Sequence, residues 1–178
     1  MKDRLKFKDM RYSSKWKEWK AVIDLKTCLN CRRTNGKIYS INETVHPPPP
    51  LHPNCRCVIE KLRTLLAGTA TDDGINGADW HLKFRGELPD YYITKKLAET
   101  LGYKSYLGNL SEVAPNRMLF KGIYKNKNNH LPTAPNRIWY EADSNYELGY
   151  RGTERILFSN DGLIFVTYNH YTTFIEIE

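Results

Sequence analysis

Residues 67–77 interrupt the hydrophobic pattern of the chain and constrain its fold more than any other segment. They read AGTATDDGING, which is three glycines among small and polar residues. Such a composition is typical of an exposed linker. We therefore predict that the 178 residues form two units, a first unit over residues 1–66 and a second unit over residues 78–178.

Charge is divided unevenly across this boundary. Residues 1–66 hold 15 Lys and Arg against 6 Asp and Glu, a net charge of +9, whereas residues 67–178 hold 12 against 14, a net charge of −2. The overall charge of +7 is therefore not a property of the second unit. Any affinity for phosphate in that unit must come from individual cations, because long-range attraction contributes little. The basic first unit suits either a nucleic-acid contact or a solvated face.

The sequence predicts neither a membrane span nor an export signal. No stretch approaches the roughly 18 apolar residues of a membrane span, so we expect no membrane partner. The N-terminus, MKDRLKFK, is basic but has no apolar core after it, so we expect no secretory signal peptide. If the protein leaves the cell, we expect a phage-like or other non-classical route that delivers it to the target cytoplasm.

All four cysteines lie in the first unit, as Cys28, Cys31, Cys55 and Cys57, with His52 three residues before the second pair. Four thiolates in a loop-rich segment can hold a structural zinc ion in tetrahedral geometry. Disulfides and free thiols are the alternatives, and the expected lack of a signal peptide weighs against disulfides. The same unit predicts a short amphipathic helix over residues 14–24 and extended polyproline at residues 47–50.

The second unit changes from helical to strand patterns along its length. We predict helices over residues 79–85 and 95–101, with Thr94 as the N-cap of the second helix. β-branched and aromatic residues then predict strands, with residues 159–162 as a tight hairpin; the predicted strands are residues 137–141, 155–158, 163–167 and 172–177. Short helices followed by an antiparallel β-sheet define an α+β domain.

The C-terminal part of the chain carries side chains suited to RNA cleavage: Glu141, Arg151, Arg155 and His170. Cleavage through the 2′-hydroxyl of RNA needs a general base, a general acid and fixed cations for the charge on phosphorus. Carboxylate, imidazole and guanidinium groups can fill these roles without a metal ion. The same residue types more often form structural ion pairs, so the surrounding sequence has to distinguish the two interpretations.

That surrounding sequence resembles the barnase-type family of bacterial extracellular ribonucleases over about residues 80–178. The matching segments are LPDYYITK (88–95), GNLSEVAP (108–115), WYEAD (139–143), YELGYR (146–151), RILFSND (155–161) and HYTTF (170–174). The resemblance implies an α+β endoribonuclease that needs no cofactor for catalysis. It would cleave single-stranded RNA to a 2′,3′-cyclic phosphate and then hydrolyse that product.

The resemblance also implies roles for the catalytic residues. Glu141 would act as the general base and His170 as the general acid, with the roles reversed in the hydrolysis step. Arg151 and Arg155 would stabilise the transition state. Lys95, at a predicted helix N-terminus, would add positive charge near a phosphoryl oxygen.

Two acids are predicted to support this set. Asp143 follows Glu141 by two residues in a predicted strand, so both side chains lie on one face, where Asp143 can pair with the two arginines. By the resemblance, Asp161 anchors Arg137. We assign these residues to structural support.

Residues 124–132 occupy the place of the family's guanine-binding loop. We assign substrate contacts to Tyr124, Asn126, Lys127, Asn128 and Tyr171. Asn128 stands where the family has a glutamate that accepts hydrogen bonds from guanine. An asparagine oxygen can still accept one such bond, but it lacks the charge-assisted contribution. We therefore expect a weakened guanine preference.

The segment from about residue 10 to residue 62 resembles the C-terminal end of phage Mu head-morphogenesis (minor head) proteins. The resemblance rests on CLNCRRTNGK (28–37) and PLHPNCRC (50–57), and it implies the arrangement of a polymorphic toxin, a head-protein module followed by a toxin domain. Such a toxin implies an acidic, barstar-like inhibitor that covers Arg151, Arg155 and His170. Phage capsid or portal components are further candidate partners.

Two other functions remain open at this stage. The chain could be a phage head-morphogenesis or adaptor protein whose barnase-like part binds without turnover, or a zinc-stabilised nucleic-acid binder dominated by the basic first unit. The complete set of catalytic residue types favours the ribonuclease toxin.

Overall fold

The structure, a computed structural model, describes residues 10–178. The expectation about a signal peptide rests largely on residues 1–9, which lie outside the described part. In chain order the elements are β1 (Arg11–Lys20), α1 (Leu29–Thr34), β2 (Ile38–Ser40), β3 (Val58–Leu65), α2 (Ala78–Phe84), β4 (Tyr92–Thr94), α3 (Lys95–Thr100), α4 (Leu110–Val113), β5 (Met118–Tyr124), β6 (Trp139–Asp143), β7 (Arg155–Ser159), β8 (Ile164–Thr167) and β9 (Ile175–Ile177).

The nine strands found between residues 10 and 178 belong to one sheet, in the order β2-β1-β3-β9-β8-β7-β6-β5-β4. The β3–β9 and β4–β5 pairs are parallel and the other neighbours are antiparallel. The predicted α+β class is confirmed, but the sheet is mixed and not purely antiparallel. Between residues 10 and 178 no helix is long and apolar enough to span a membrane.

The predictions for the second unit largely agree with the structure. Helix α2 covers the first predicted helix, and α3 begins after Thr94, whose Oγ1 accepts a hydrogen bond from the backbone N–H of Leu97 at 3.2 Å. Strands β6 to β9 fall within three residues of the predicted bounds. The hairpin at residues 159–162 is present, and the N–H of Gly162 donates to the Ser159 carbonyl at 3.1 Å.

The helix predicted over residues 14–24 is wrong, because this segment forms strand β1 and pairs with both β2 and β3. Trp16 and Trp19 are three residues apart, a spacing that fits one face of a helix as well as a strand. In a strand, residues three apart point to opposite faces. Trp16 accordingly packs beside Phe165, whereas Trp19 packs with Cys31 in a separate cluster.

Two loop predictions also need correction. Residues 67–77 are not uniformly exposed, because Ala70 and Thr71 are buried and the Asp79 carboxylate accepts hydrogen bonds from Gly68 N–H, Ala70 N–H and the Thr71 hydroxyl at 2.7–2.9 Å. Residues 47–50 form bends with cis bonds before Pro47 and Pro50, and not a continuous polyproline helix.

The sheet is covered on both faces. On one face, α2 packs on a core that includes Ala142, Ile156 and Val166. On the other face, a cluster combines residues of both units: Ile38, Leu62, Leu131, Trp139, Leu157, Phe165 and Phe174. This second cluster, hereafter the shared cluster, borders the candidate active site, because Leu157 lies directly opposite Glu141 in the sheet.

Candidate active site

Two of the predicted catalytic residues, Glu141 and Arg155, lie on one face of the sheet together with Asp143. Asp143 lies opposite Arg155, which lies opposite Thr167. One step along the strands, Glu141 lies opposite Leu157. Directly opposed residues in antiparallel strands share a face. The sheet therefore brings Glu141, Asp143 and Arg155 together, and the Glu141 carboxylate is buried, with 7% of its side chain exposed.

Lys121 is a functional candidate that the sequence reasoning missed. Its Nζ lies 2.6 Å from Oε1 of Glu141. The pairing of β5 with β6 shifts register between Phe120 and Gly122. Such a bulge turns a side chain away from its regular direction, and Lys121 is the residue within it. In the sequence, only Gly122 marks this irregularity. Its φ is +86°, and nothing lies within 4 Å of the place that a Cβ would occupy.

The Asp143 carboxylate lies between the two arginines. Its side chain is 1% exposed, it accepts a hydrogen bond from Arg151 Nε at 2.6 Å and a second from Arg151 Nη2, and it lies 3.3 Å from Arg155 Nε. Burial alone would lower the pKa of Arg151, but hydrogen bonding and attraction to Asp143 outweigh it and raise that pKa. Arg151 is therefore held as a fixed cation.

The Arg155 guanidinium has further partners in the backbone. Its Nη1 donates to the carbonyls of Gly152 at 2.7 Å and Glu154 at 2.6 Å, and its Nε lies 3.9 Å from Oε1 of Glu141. Only 6% of the Arg155 side chain is exposed. Arg155 thus lies beneath the surface of the site, where it contributes positive charge beside the carboxylate of Glu141.

His170 is exposed in the turn between β8 and β9, three residues after β8 ends. His170 does not lie at an edge of the sheet, because β9 pairs with β3 on its other side. His170 and Tyr171 both have positive φ values, +53° and +67°, which non-glycine residues rarely adopt. The backbone N–H of His170 donates to the Thr153 carbonyl at 3.1 Å and that of Tyr171 to Thr167 Oγ1 at 3.0 Å, which hold the turn.

Two of the predicted substrate-contact residues lie against each other. The rings of Tyr124 and Tyr171 are stacked with centroids 5.3 Å apart, and the His170 ring lies 4.7 Å from that of Tyr171. Burial, the charge of Glu141 and a hydrogen bond to Glu141 raise the pKa of Tyr171. Its neutral hydroxyl can therefore donate to the carboxylate of Glu141.

A cleft of about 370 Å³ separates Glu141 from the predicted base-binding loop. Its lining residues come from β5, β6 and that loop: Lys121, Ile123, Tyr124, Lys125, Asn126, Lys127, Asn128 and Glu141. Lys127 and Asn128 are exposed, whereas Asn126 is buried. The amide of Asn126 makes two hydrogen bonds to the backbone of Leu131, at 2.9 and 3.1 Å, so its side chain closes the loop.

Lys95, Arg137 and Asp161 are not among the residues that line this cleft. Lys95 is the first residue of α3, and its Nζ pairs with Glu99 at 3.3 Å on an exposed surface. Arg137 donates to the Asp161 carboxylate from Nε, 3.0 Å from both oxygens, and from Nη2 at 2.7 Å. That pair connects the end of the base-binding loop region to the β7–β8 hairpin.

The cysteines of the first unit converge around Cys31. Its Sγ lies 3.6 Å from that of Cys55 and 3.5 Å from Nε2 of His52, and Cys28 Sγ lies 3.2 Å from the same nitrogen. Cys57 lies in the same group. Backbone hydrogen bonds are the main cause that lowers the pKa of Cys28 to about 7 and that of Cys55 to about 6. The cluster can therefore offer thiolate ligands, together with a histidine that was not among the four predicted ligands.

The fold and the site define the class of protein. It is an α+β protein in which a carboxylate, two arginines and a histidine lie near a cleft large enough for a nucleic-acid base. Comparison with known proteins agrees. The "ribonuclease" family model matches residues 79–178, and ribonucleases of Bacillus intermedius and Bacillus pumilus are each 43% identical over 112 residues, 63% of this chain and 67% of theirs. A ribonuclease of Heyndrickxia coagulans is 43% identical over 107 residues, 60% of this chain and 95% of its own.

The chain belongs to this ribonuclease family and is an endoribonuclease. A second family model, "Phage Mu protein F like protein", matches residues 4–60. Both resemblances inferred from the sequence are thereby confirmed.

Proposed function

We propose that this endoribonuclease cleaves single-stranded RNA by attack of the 2′-oxygen on phosphorus, without a catalytic metal ion. Glu141 takes the 2′-hydroxyl proton and His170 protonates the leaving 5′-oxygen. In the second step His170 takes a proton from water, Glu141 returns one to the 2′-oxygen, and a 3′-phosphate results. Acid–base catalysis of this kind contributes about 10²- to 10⁴-fold.

Electrostatic stabilisation of phosphorus would come from cations held in place before substrate binds. Arg151 and Arg155 are fixed by Asp143 and by backbone carbonyls, so little reorganisation is needed as charge develops. Lys95 remains in the proposal as an exposed cation, with 55% of its side chain accessible and Glu99 as its ion-pair partner. The observation that carries the proposal is the buried Glu141 carboxylate, which shares one cleft with the base-binding loop.

The test is cleavage of a fluorogenic RNA oligonucleotide in EDTA. Glu141→Gln and His170→Gln should each lower kcat/KM by about 10²-fold or more, while Glu112→Gln and His81→Gln, away from the cleft, should retain it. Full loss of wild-type activity within seconds of EDTA addition would contradict metal-independent catalysis. Separation of the cyclic phosphate from the 3′-phosphate by chromatography checks the order of the two steps.

The preference for cleavage after guanine should be weak, because Asn128 has a neutral, exposed side chain at the cleft. Cleavage after G, A, C and U in otherwise identical short RNAs measures it. A sharp preference for guanine would contradict this part of the proposal.

We further propose that the first unit holds a structural zinc ion. The Nδ1 of His52 lies 2.8 Å from the Pro53 carbonyl, so its N–H can donate there and leave Nε2 free as a ligand, as second-shell partners of metal-binding histidines do. A Zn–S bond of about 2.3 Å implies sulfur atoms about 3.8 Å apart in a tetrahedral site, close to the observed 3.6 Å. We assign the ligands as Cys28, Cys31, His52 and Cys55, with Cys57 beside them.

Zinc content measured by mass spectrometry tests this assignment. His52→Ala should lower the bound zinc well below one ion per chain, whereas His46→Ala, an exposed histidine in the same unit, should not. Equal zinc content in both variants would exclude His52 as a ligand, and no zinc in the wild type would exclude the site.

We also propose that the protein acts as a toxin delivered by a phage-like or other non-classical route, with the 1–66, 67–77 and 78–178 division as its organisation. The match to a phage head protein supports this origin and makes capsid or portal components candidate partners. Expression of the wild-type chain without a second gene should then arrest its host, and growth equal to that with Glu141→Gln would contradict the proposal.

An acidic, barstar-like inhibitor follows from the same proposal. It would cover the exposed His170 and the partly exposed Arg151, whereas Arg155 is too buried to offer much contact. The −2 charge of residues 67–178 would make long-range steering weak. Co-purification of the Glu141→Gln chain with an acidic protein from the same gene neighbourhood tests this, and normal growth of the host without any such protein would contradict it.

A further inference from the structure

The first unit touches the base-binding loop at its closing end. The backbone N–H of Ile38 donates to the His130 carbonyl at 2.8 Å, and Nε2 of His130 lies 3.0 Å from the Arg33 carbonyl. His130 is 9% exposed. Arg33 in α1 and Ile38 in β2 therefore hold His130 through its ring and its backbone.

Apolar packing strengthens the same contact. Leu131, 1% exposed, is the loop's residue in the shared cluster, to which the first unit contributes Ile38 and Leu62. The Leu131 carbonyl accepts a hydrogen bond from the Asn126 amide, and the Leu131 N–H donates one back to Asn126 Oδ1. Asn126 is followed directly by Lys127 and Asn128 at the cleft, so a constraint on residues 130–131 is transmitted to the residues that face the base.

A second contact reaches the turn that carries the proposed general acid. Gly36 has φ +81°, and a Cβ at this position would lie 2.4 Å from the carbonyl oxygen of Thr172. Thr172 follows His170 and Tyr171 directly. The backbone of the first unit thus comes as near to this turn as a residue without a side chain permits.

We propose that the first unit is part of the substrate site of the ribonuclease, in which the contacts of His130 and Gly36 position the base-binding loop and the His170 turn. The ribonuclease family match begins at residue 79. The residues of the first unit that make these contacts, Arg33, Gly36 and Ile38, therefore lie outside that match. The inference rests on the proposed role of residues 124–132 in base binding. His130, itself a residue of the loop, is a positioning residue here, because its buried ring contacts the Arg33 carbonyl of the first unit.

Amide hydrogen exchange of the full chain tests the proposal directly. In His130→Phe the ring can keep its edge contact with Phe174 but cannot donate to Arg33. Loss of one such hydrogen bond corresponds to about a 2- to 10-fold change in a local opening equilibrium. Exchange of residues 124–131 should therefore accelerate by about that factor, while α2 and β7 keep wild-type rates. The matched control is His81→Phe on α2, which has no contact with the loop.

A second pair of variants covers the possibility that His130→Phe unfolds. Gly36→Ala must displace Thr172, whereas Gly86→Ala introduces the same kind of residue at φ +77° with nothing within 4 Å. Gly36→Ala should accelerate exchange in residues 168–173, and Gly86→Ala should not. Unchanged exchange at both loops in His130→Phe and Gly36→Ala, or equal acceleration in the matched controls, would overturn the proposal.

Kinetics separate this proposal from the one on which it rests. If the loop both binds the base and is held by the first unit, His130→Phe should raise KM and flatten the preference among G, A, C and U, with a smaller change in kcat. Faster loop exchange with unchanged KM and base preference would support the positioning by the first unit and contradict the base-binding role of the loop.

Discussion

Replacement of Asp143 by asparagine should destabilise the protein strongly. The substitution keeps the shape of the side chain but removes the charge that faces Arg151 and Arg155. The Asp143 side chain is 1% exposed and those of the arginines 18% and 6%, so water cannot replace the lost partner. Removal of one partner of a buried ion pair costs about 3–5 kcal/mol.

The pair of Arg137 with Asp161 provides the matched control. It has similar bidentate hydrogen bonds, but the Asp161 side chain is 45% exposed. Exposed pairs are worth about 0–1 kcal/mol. Asp161→Asn should therefore cost about 3 kcal/mol less than Asp143→Asn.

Urea unfolding followed by tryptophan fluorescence measures both variants. With an m-value of about 2 kcal/mol/M, Asp143→Asn should lower the midpoint by about 1.5–2.5 M and Asp161→Asn by less than about 0.5 M, with m unchanged. If the two variants differ by less than about 1 kcal/mol, burial does not decide the strength of these pairs and the reasoning is refuted.

Three further predictions concern charge and specificity. Burial and the facing Glu60 raise the pKa of Glu18 to about 7, so the folded state binds a proton that the unfolded state releases between pH 4.5 and 7. The free energy of unfolding should therefore fall by on the order of 2–3 kcal/mol as pH rises through that range. In Glu18→Gln this fall should be absent, so its profile of unfolding free energy against pH should be flatter. Lys121→Met should lower kcat/KM about fivefold, because the ion pair of Lys121 with Glu141 is lost at a partly exposed site, and Lys121→Arg should recover part of the rate. Equal rates in all three proteins would contradict this. Asn128→Glu should increase cleavage after guanine relative to adenine by about tenfold, and an unchanged ratio in matched oligonucleotides would show that residue 128 does not contact the base.

Local sequence patterns predicted the parts of the fold in which the interacting residues are close in sequence or follow a regular period. The Thr94 cap, helix α2 and the hairpin after Ser159 each depend on a few adjacent residues. The contact of Asp143 with the arginines followed from the two-residue period of a strand, which placed Asp143 on the same face as Glu141. Side-chain alternation is a strong signal whenever the strand itself is identified correctly.

Features that depend on irregular backbone or distant partners were not predictable in the same way. Lys121 reaches Glu141 because of a bulge, which the alternation rule does not contain. The tryptophans of β1 fit a helical period as well as a two-sided strand, and only the pairing of β1 with β2 and β3 distinguishes these. His52 was noted in the sequence, but its distance from Cys28 depends on the fold of the intervening loop.

The junction between the two units shows why the glycine-rich boundary was interpreted too simply. Strand β3 pairs with β9 through only two register positions, Thr64 with Glu176 and Leu65 with Ile177. The hydrogen bonds continue beyond them, because Glu178 N–H donates to Leu65 at 2.9 Å and Ala67 N–H donates to Glu178 at 2.8 Å. Without β3, β9 would form an open edge of the sheet, and proteins generally cover such edges. Residues 67–77 thus begin at a strand pair that joins the first unit to the ribonuclease sheet, and the boundary in sequence composition coincides with continuity in the fold.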